Sequence, residues 1–177
     1  MKINLICSGF GGQGALTVGK FLAKASMKEG RNVTWLPSYG PEMRGGTANC
    51  SVILSDNEVA SPVVGVPDVL IAFNQPSIDK FERAIAKGGV LIYNSDMCPR
   101  GATRDDIKII GVPMSTIATD LGNMKVVNMV SIGVFIAAIK AVKFESIESD
   151  LTAFLQKKAP KLLELNLQAI KKGMEYA

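Results

Sequence analysis

Histidine is absent from the 177-residue chain, and its absence limits the chemistry that the chain can carry out alone. Histidine is the commonest general base in enzymes and the commonest metal ligand. Without it no Ser-His or Cys-His pair can form, and the sequence has neither a G-x-S-x-G elbow nor a P-loop lysine motif. No tyrosine is followed by lysine four residues later, which removes a familiar hydride-transfer arrangement. The sequence therefore predicts a module that positions another molecule and is not catalytically self-sufficient.

Cysteine is scarce: Cys7, Cys50 and Cys98 are odd in number and far apart in the sequence. This spacing provides neither a disulfide framework nor a Cys-x-x-Cys motif for metal or redox chemistry, so we expect no metal site on this chain. The cysteine content and the lack of a signal-peptide pattern near Met1 favour a reducing, cytoplasmic location.

Aromatic residues make up only 6% of the chain, and the net charge of +4 comes from lysines that are spread along the sequence. A nucleic-acid-binding surface needs clustered basic residues and aromatic side chains for base stacking, so we expect no nucleic-acid partner. Long apolar runs are lacking too. The longest apolar stretch, residues 126–142, is interrupted by Asn128, Ser131 and Lys140, so it predicts a buried helix and no membrane contact.

The most informative feature that is present is a glycine-rich segment near the N-terminus. It follows an apolar run, residues 3–7, and precedes a helical pattern from Ala15 to about Lys28, so it predicts a strand, a tight turn and a helix. Glycine permits positive φ and close approach to the backbone, while N–H groups at a helix N-terminus attract anions. An alternative is that the glycines serve only helix–strand packing. The candidate anion-binding residues are Gly9, Gly11, Gly12, Gln13 and Gly14.

The second predicted strand, residues 32–36, lacks a feature that dinucleotide-binding proteins need. In such proteins an Asp or Glu at the end of this strand holds the ribose hydroxyls. Here the strand ends in Trp35-Leu36-Pro37-Ser38. The missing acid argues against ordinary NAD binding.

The segment 38–46 is the second unusual stretch, because three glycines and a proline exclude a regular element there. Tyr39, Glu42 and Arg44 lie among them. An arginine on a loop at the carboxyl end of a strand can bind a phosphate or carboxylate, which makes Tyr39 and Arg44 candidate site residues. The alternative is that Glu42 and Arg44 pair with each other and stiffen the loop.

The remaining pattern predicts one α/β domain over residues 1–177, with a Rossmann-like, mostly parallel sheet and helices on both faces. Residues 47–54 alternate between apolar and polar side chains, which predicts one antiparallel strand. Further buried strands are predicted at residues 69–73, 90–93 and 107–112. Helices are predicted at residues 77–86, 115–121, 126–142, 147–158 and 161–176.

Polar residues follow several of the predicted strands, and Asn74 and Asn94 are the clearest examples. Ligands of open α/β sheets bind outside the carboxyl ends of the strands, so we expect these residues, Asn74 above all, to line a crevice. Helix capping is the alternative explanation for Asn at such positions.

Four stretches together resemble the gamma subunit of the 2-oxoacid:ferredoxin oxidoreductases. They are Gly9-Phe10-Gly11-Gly12-Gln13-Gly14, Ser38-Tyr39-Gly40-Pro41-Glu42-Met43-Arg44-Gly45-Gly46, Asn74-Gln75-Pro76 and Leu165-Asn166-Leu167. The resemblance covers essentially the whole chain, and it extends to the gamma domain of pyruvate:ferredoxin oxidoreductase. The wording of the second stretch is most similar to that of the 2-oxoglutarate and 2-oxoisovalerate types.

The resemblance implies that the chain works only inside a complex with alpha and beta subunits and a delta subunit. In that family, partner subunits hold thiamine diphosphate and iron–sulfur clusters, coenzyme A is the co-substrate, and ferredoxin receives the electrons. The overall reaction is oxidative decarboxylation of a 2-oxoacid to an acyl-CoA. No cofactor is expected on this chain alone.

Our hypothesis from the sequence is that the glycine turn, with Tyr39, Arg44 and Asn74, helps to receive the pyrophosphate of coenzyme A. A competing hypothesis is that the glycines are architectural and the chain is a non-catalytic structural subunit of the complex. A free-standing dinucleotide-binding protein is a third reading, which the missing strand-end acid disfavours.

Overall fold

The computed structural model describes residues 1–39, 47–157 and 159–177. The strands are β1 (Lys2–Phe10), β2 (Asn32–Tyr39), β3 (Thr47–Ser55), β4 (Val69–Ala72), β5 (Val90–Asn94) and β6 (Lys108–Val112). The α-helices are α1 (Ala15–Lys28), α2 (Gln75–Phe81), α3 (Met114–Asp120), α4 (Val127–Ile139), α5 (Phe144–Leu155) and α6 (Pro160–Met174). Short 3₁₀ turns cover Glu82–Ala84, Ser95–Met97 and Met124–Val126.

The six strands form one sheet in the order β2-β3-β1-β4-β5-β6. The pairs β1–β4, β4–β5 and β5–β6 are parallel, whereas β3 runs antiparallel to both β1 and β2. The predicted antiparallel strand is confirmed: the face that carries Cys50 and Val52 is fully buried, as the alternation required. The predicted fold class, a mostly parallel α/β sheet, is confirmed with it.

Strand β2 departs from the prediction in length and in position. It continues through Pro37 and Ser38 to Tyr39, so the prediction that it ended at Leu36 was wrong. It lies at the edge of the sheet, where a strand without one backbone N–H is tolerated. Because β3 separates β2 from β1, the end of β2 does not lie beside the glycine turn as it does in a dinucleotide-binding unit. An acidic residue at the end of β2 would not lie beside a ligand at the glycine turn, and this position agrees with its absence from the sequence.

Helix α1 packs onto the face of the sheet that contains Cys50. Its residues Val18 and Leu22 are fully buried, as the helical spacing predicted. At Gly19 a Cβ would collide with the Cys50 sulfur and would come within 3.0 Å of a Val52 methyl group. The absence of a side chain at Gly19 thus allows α1 to approach β3 closely.

Helices cover both faces of the sheet, as predicted. The larger hydrophobic core lies on the face of α1 and α4 and includes Leu5, Ile71 and Phe135. A smaller core lies on the other face and includes Leu70 and, from α2, Ile78.

Helix α4 is the most buried helix of those that the structure describes. Every residue from Asn128 to Ile136 is buried, in agreement with the buried helix predicted there. The helix ends at Ile139, three residues before the predicted end, because Lys140 takes a left-handed conformation with φ 57°. Within the described ranges, no helix is both long and apolar enough to span a bilayer.

Helix α2 begins and ends earlier than predicted. It starts at Gln75, because Asn74 caps it by accepting a hydrogen bond from the Ser77 N–H at 3.0 Å, and it ends at Phe81. The alternative explanation for Asn74, helix capping, is therefore correct as far as its side-chain oxygen is concerned. Helices α5 and α6 begin and end within three residues of the predicted limits.

Candidate functional site

The glycine turn joins β1 to α1 at the carboxyl edge of the sheet. It is closed by a hydrogen bond from the Gln13 N–H to the Phe10 carbonyl at 3.1 Å. Gly12 has φ 95° and Gly14, the N-cap of α1, has φ 86°, so both glycines occupy the left-handed region. Among the residues that the structure describes, no side chain caps α1. The first N–H groups of this helix are therefore available to an acceptor from outside, and the helix dipole favours an anion there.

Gln13 and Asn74 bind each other at the point where the turn meets the end of β4. The Gln13 Oε1 accepts hydrogen bonds from the Phe10 N–H at 2.7 Å and from the Asn74 Nδ2 at 3.0 Å. The Gln13 Nε2 donates to the Phe73 carbonyl at 3.3 Å. A Cβ on Gly9 would lie 2.8 Å from the Gln13 Oε1, so a glycine is needed there for packing. These contacts hold the turn in place and occupy most of the polar groups of both side chains.

The turn is open on two sides. We call the cleft of about 240 Å³ on one side the β3 cleft; it is lined by Phe10, Gly11, Gly12, Gly14, Ala15, Leu16, Thr17, Thr47 and Ala48. The cleft of about 300 Å³ on the other side, the α4 cleft, is lined by Gly12, Gln13, Gly14, Asn94, Met97, Ser115, Met124, Lys125, Val127 and Asn128. Gly12 lines both clefts, and no atom of the described residues lies within 4 Å of the position that a Cβ would take there. The turn is thus accessible to a ligand.

The α4 cleft contains polar groups that the sequence analysis did not assign to a site. The Asn128 side chain is only 8% exposed, lies against Gly14, and has a buried Oδ1 without a hydrogen-bond partner in the described part of the chain. Lys125 is exposed and forms no ion pair with any described residue. The one sequence signal for Asn128 was that a polar residue interrupts an apolar run. Asn94, a predicted rim residue, does line this cleft and donates a hydrogen bond to the Ser115 hydroxyl at 2.9 Å.

Arg44 lies outside the described residues, and so does the side chain of Tyr39. The main chain of Tyr39 ends β2 and pairs with Ala48. Thr47, which begins β3, pairs with Phe10 at the start of the glycine turn. Thr47, the first described residue after Arg44, therefore lies beside the β3 cleft.

The cysteines are buried and do not converge on either cleft. Burial raises the pKa of the Cys7 thiol, and burial together with the nearby Asp79 carboxylate raises the pKa of Cys98 to about 12. These two thiols are therefore protonated, and unreactive as nucleophiles, at neutral pH. Across residues 1–39, 47–157 and 159–177, no group of at least three His, Cys, Asp or Glu side chains could hold a metal ion.

Comparison with known proteins identifies the family of this chain. Residues 4–176 match the family described as pyruvate ferredoxin/flavodoxin oxidoreductase. The chain belongs to this family. The match extends over nearly the whole sequence, so the resemblance seen in the four motifs is confirmed at the level of the family.

Two kinds of relative within the pyruvate ferredoxin/flavodoxin oxidoreductase family differ in length. The ketoisovalerate oxidoreductase subunit VorA of Methanothermobacter marburgensis is 38% identical over 99% of this chain, but the chain spans only 37% of VorA. The 2-oxoglutarate synthase subunit KorC of Methanocaldococcus jannaschii is 32% identical, and the alignment covers 100% of this chain and 95% of KorC. In this family the domain thus occurs both as a separate short subunit and within a longer polypeptide.

Solved structures of the family agree with the fold. The gamma subunit of a keto/oxoacid ferredoxin oxidoreductase from Geobacter sulfurreducens superposes with a TM-score of 0.83 at 30% identity, covering 99% of this chain and 98% of that one. The 2-oxoglutarate:ferredoxin oxidoreductase from Magnetococcus marinus, solved with 2-oxoglutarate, coenzyme A and succinyl-CoA bound, gives a TM-score of 0.91 at 24% identity. There the match covers 99% of this chain and 31% of the other, and it supports the fold alone.

Proposed function

We propose that this chain is the gamma subunit of a multi-subunit 2-oxoacid:ferredoxin oxidoreductase and that its glycine turn receives the pyrophosphate of coenzyme A. In this proposal, alpha, beta and delta subunits supply thiamine diphosphate, iron–sulfur clusters and the contact with ferredoxin. The 2-oxoacid is 2-oxoglutarate or a branched-chain 2-oxoacid, since relatives named for both substrates align with this chain over almost its full length. The reaction converts the 2-oxoacid into an acyl-CoA while ferredoxin is reduced.

The observation that carries the anion site is the N-terminus of α1 at Gly14, which no described side chain caps, with Gly12 open to a cleft on either side. A pyrophosphate is acceptor-only and negatively charged, so it suits backbone N–H groups at a helix N-terminus. In the proposal Tyr39, whose main chain pairs with Ala48, and Arg44, which precedes Thr47 by three residues, approach from the β3 side. The arginine adds a charge-assisted contact to the phosphate oxygens.

The roles of the two amide side chains differ within the proposal. Gln13 and Asn74 bind each other and the backbone, so they shape the turn, and we assign ligand contact mainly to the main chain of Gly11, Gly12 and Gly14. The same hydrogen bonds favour a second candidate, a structural subunit in which the turn is purely architectural. The two candidates predict different effects of a side chain at Gly12.

A matched pair of glycine substitutions separates these candidates. Gly12 and Gly30 both have positive φ, 95° and 83°, and at neither residue does any described atom lie within 4 Å of the position that a Cβ would take. Gly12→Ala and Gly30→Ala therefore carry a similar backbone strain of about 1–2 kcal/mol, but only the first places a methyl group at the turn. In the assembled enzyme we expect Gly12→Ala to raise the KM for coenzyme A severalfold and Gly30→Ala to leave it unchanged.

Replacement of Arg44 tests the charged part of the site. Loss of a charge-assisted hydrogen bond costs about 1.5–3 kcal/mol, so Arg44→Ala should raise the KM for coenzyme A at least about tenfold. The kcat at saturating coenzyme A should change little, because the contact binds substrate and transition state alike. Arg83→Ala, an exposed arginine beside α2, is the control.

Co-purification tests the assignment to a complex. A tagged copy of the chain is purified, its companions are identified, and the sample is assayed for iron, sulfide and thiamine diphosphate. Normal assembly with an unchanged KM in both Gly12→Ala and Arg44→Ala would favour the structural subunit. A chain that purifies without companions would refute the gamma-subunit assignment itself.

A further inference from the structure

A groove between α1 and α5 lies outside the site described above. We call it the α1–α5 groove; it has a volume of about 270 Å³ and is lined by Thr17, Lys20, Phe21, Lys24, Asp150 and Phe154. A shallower depression, lined by Lys24, Met27, Lys28 and Asp150, continues it toward the end of α1. Thr17 lines both this groove and the β3 cleft. The groove is thus continuous along α1 with the glycine turn.

The floor and wall of the groove expose large apolar side chains. In the groove Phe154 is 62% exposed and Phe21 is partly buried, and in the adjoining depression Met27 is 59% exposed. Most of the surface that lines the groove is apolar. Contiguous exposed apolar surface of this kind is typical of sites that contact another polypeptide.

The rim of the groove is basic. Helix α1 contains no acidic residue, and Lys20, Lys24 and Lys28 follow each other at four-residue spacing along one face. Lys28 is neutralised by Asp150 at 2.5 Å. Lys20 and Lys24 have no carboxylate partner within the described ranges, so two positive charges face the groove unpaired.

Asp150 adds an unsatisfied acceptor at the same place. One of its carboxylate oxygens binds Lys28, while the other, Oδ2, is buried without a hydrogen-bond partner in the described part of the chain. A buried acceptor without a donor is unfavourable.

We propose that the α1–α5 groove binds an acidic amphipathic segment of a companion subunit, and that this subunit also adjoins the glycine turn in the complex. An apolar side chain of that segment packs against Phe21 and Phe154, and its carboxylates face Lys20 and Lys24. The proposal rests on the proposed function, since it needs a companion subunit. Two observations favour this occupant: charge complementarity to the unpaired lysines, and the continuity of the groove with the turn through Thr17.

The length of VorA is consistent with such an occupant. This chain spans 37% of VorA, so in that relative the homologous domain is joined to a polypeptide nearly twice its own length. A tethered neighbour of that size has a high effective concentration at the surface of the domain.

Lysine footprinting of the purified complex tests the inference. The isolated chain and the complex are each treated with formaldehyde and cyanoborohydride, and the methylation of each lysine is measured by mass spectrometry. We expect the modification of Lys20 and Lys24 to fall severalfold in the complex. Lys87 and Lys108, exposed near the opposite sheet edge at β6, should react equally in both samples.

Charge reversal gives a second measurement. Lys20→Glu/Lys24→Glu should weaken retention of the companion subunits about tenfold or more, because carboxylates would then face carboxylates. The wild-type retention should fall as salt rises, since the contact lies at an exposed rim. Lys87→Glu/Lys108→Glu changes the net charge equally and should behave as the wild type. All four lysines are exposed, so both double variants should keep the thermal midpoint of the wild type.

The outcomes separate this inference from the proposed function. The inference would be overturned if both double variants retained the companions equally and Lys20 and Lys24 were as reactive in the complex as in the isolated chain. That result would leave the gamma-subunit assignment intact. Protection that appears in the isolated chain with rising concentration would identify a second copy as the occupant and would also overturn it. The absence of any companion would refute both.

Discussion

At the scale of single residues, Glu29 is the side chain that joins the end of α1 to the beginning of α5. Its Oε1 accepts hydrogen bonds from the Lys143 N–H and the Ser146 hydroxyl, both at 2.8 Å, and its Oε2 accepts from Arg31 at 2.8 Å. Burial raises the pKa of Glu29, but these hydrogen bonds and the charge of Arg31 outweigh it and lower the pKa below the ordinary value of 4.5. The folded state therefore binds the ionised form more favourably than the unfolded state does.

Replacing Glu29 by Gln should lower the free energy of unfolding by about 1–3 kcal/mol at neutral pH, because hydrogen bonds to a charged group are lost. The pKa of Glu29 is lower in the folded state than in the unfolded state. Its carboxylate therefore adds its full contribution to the free energy of unfolding above the unfolded pKa of about 4.5, and this contribution is lost as the pH falls through the folded pKa. The difference between wild type and Glu29→Gln should therefore shrink in acid. Urea unfolding between neutral pH and pH values below 4.5 measures it.

Glu58→Gln is the control, since Glu58 is exposed and forms no ion pair with any described residue. Equal unfolding curves for wild type and Glu29→Gln at neutral pH would contradict the role of Glu29.

At the scale of elements, the crossing of α4 and α6 depends on two glycines. A Cβ on Gly133 would strike the Ile170 carbonyl, and a Cβ on Gly173 would strike the Val130 carbonyl. Each glycine lies against the main chain of the opposite helix, so neither neighbour can move aside by a rotamer change. Glycine normally weakens a helix by about 0.5–1 kcal/mol relative to alanine, and here that cost is offset by close packing.

Gly133→Ala should therefore destabilise the protein, although alanine favours the helix itself. Forcing a methyl group into a filled core costs about 1–3 kcal/mol, and contact with a carbonyl places the effect at the upper end. Differential scanning calorimetry should show a lower thermal midpoint. Gly65→Ala, in a loop where no atom of the described chain lies within 4 Å of the added Cβ, should leave the midpoint unchanged. A midpoint that rose in Gly133→Ala would mean that the helices do not cross here.

At the scale of the whole molecule, the sheet is built outward from β1. This strand pairs along its full length with β3 and, at its centre, with β4, and the Gln13–Asn74 hydrogen bond ties its end to the end of β4. The edges are β2 and β6, each paired on one side only. The glycine turn thus extends from the best-supported strand, whereas the segment that carries Arg44 continues from an edge.

Amide hydrogen exchange should follow this arrangement. The amides of β1 and β4 should exchange most slowly, because their opening requires disruption of the central sheet, and those of β2 should exchange faster through local opening at the edge. Exchange measured by mass spectrometry on peptides covering residues 2–10, 32–39 and 69–72 tests this order. Exchange from β2 as slow as that from β1 would contradict it.

The sequence by itself determined the local elements and the family. The alternation of residues 47–54 predicted β3, the apolar run predicted the buried α4, and the glycine motif predicted the turn before α1. These features are local: they follow from side-chain periodicity of two or 3.6 residues and from the φ angles that glycine permits. The error at the end of β2 arose from tertiary context, because the strand lies at an edge of the sheet. The error at the start of α2 arose from a local signal, the Asn74 cap, which the sequence analysis had given only as the alternative.

Only the tertiary structure decided which strands are neighbours and which side chains meet. No local pattern indicates that β3 inserts between β1 and β2, since strand order depends on the pairing of residues that are distant in the chain. The same holds for Gln13 with Asn74, for Asn128 beneath Gly14, and for Lys20 and Lys24 beside Phe154. Periodicity tells which face of an element is buried, but the identity of the element that covers it is fixed by packing across the whole chain.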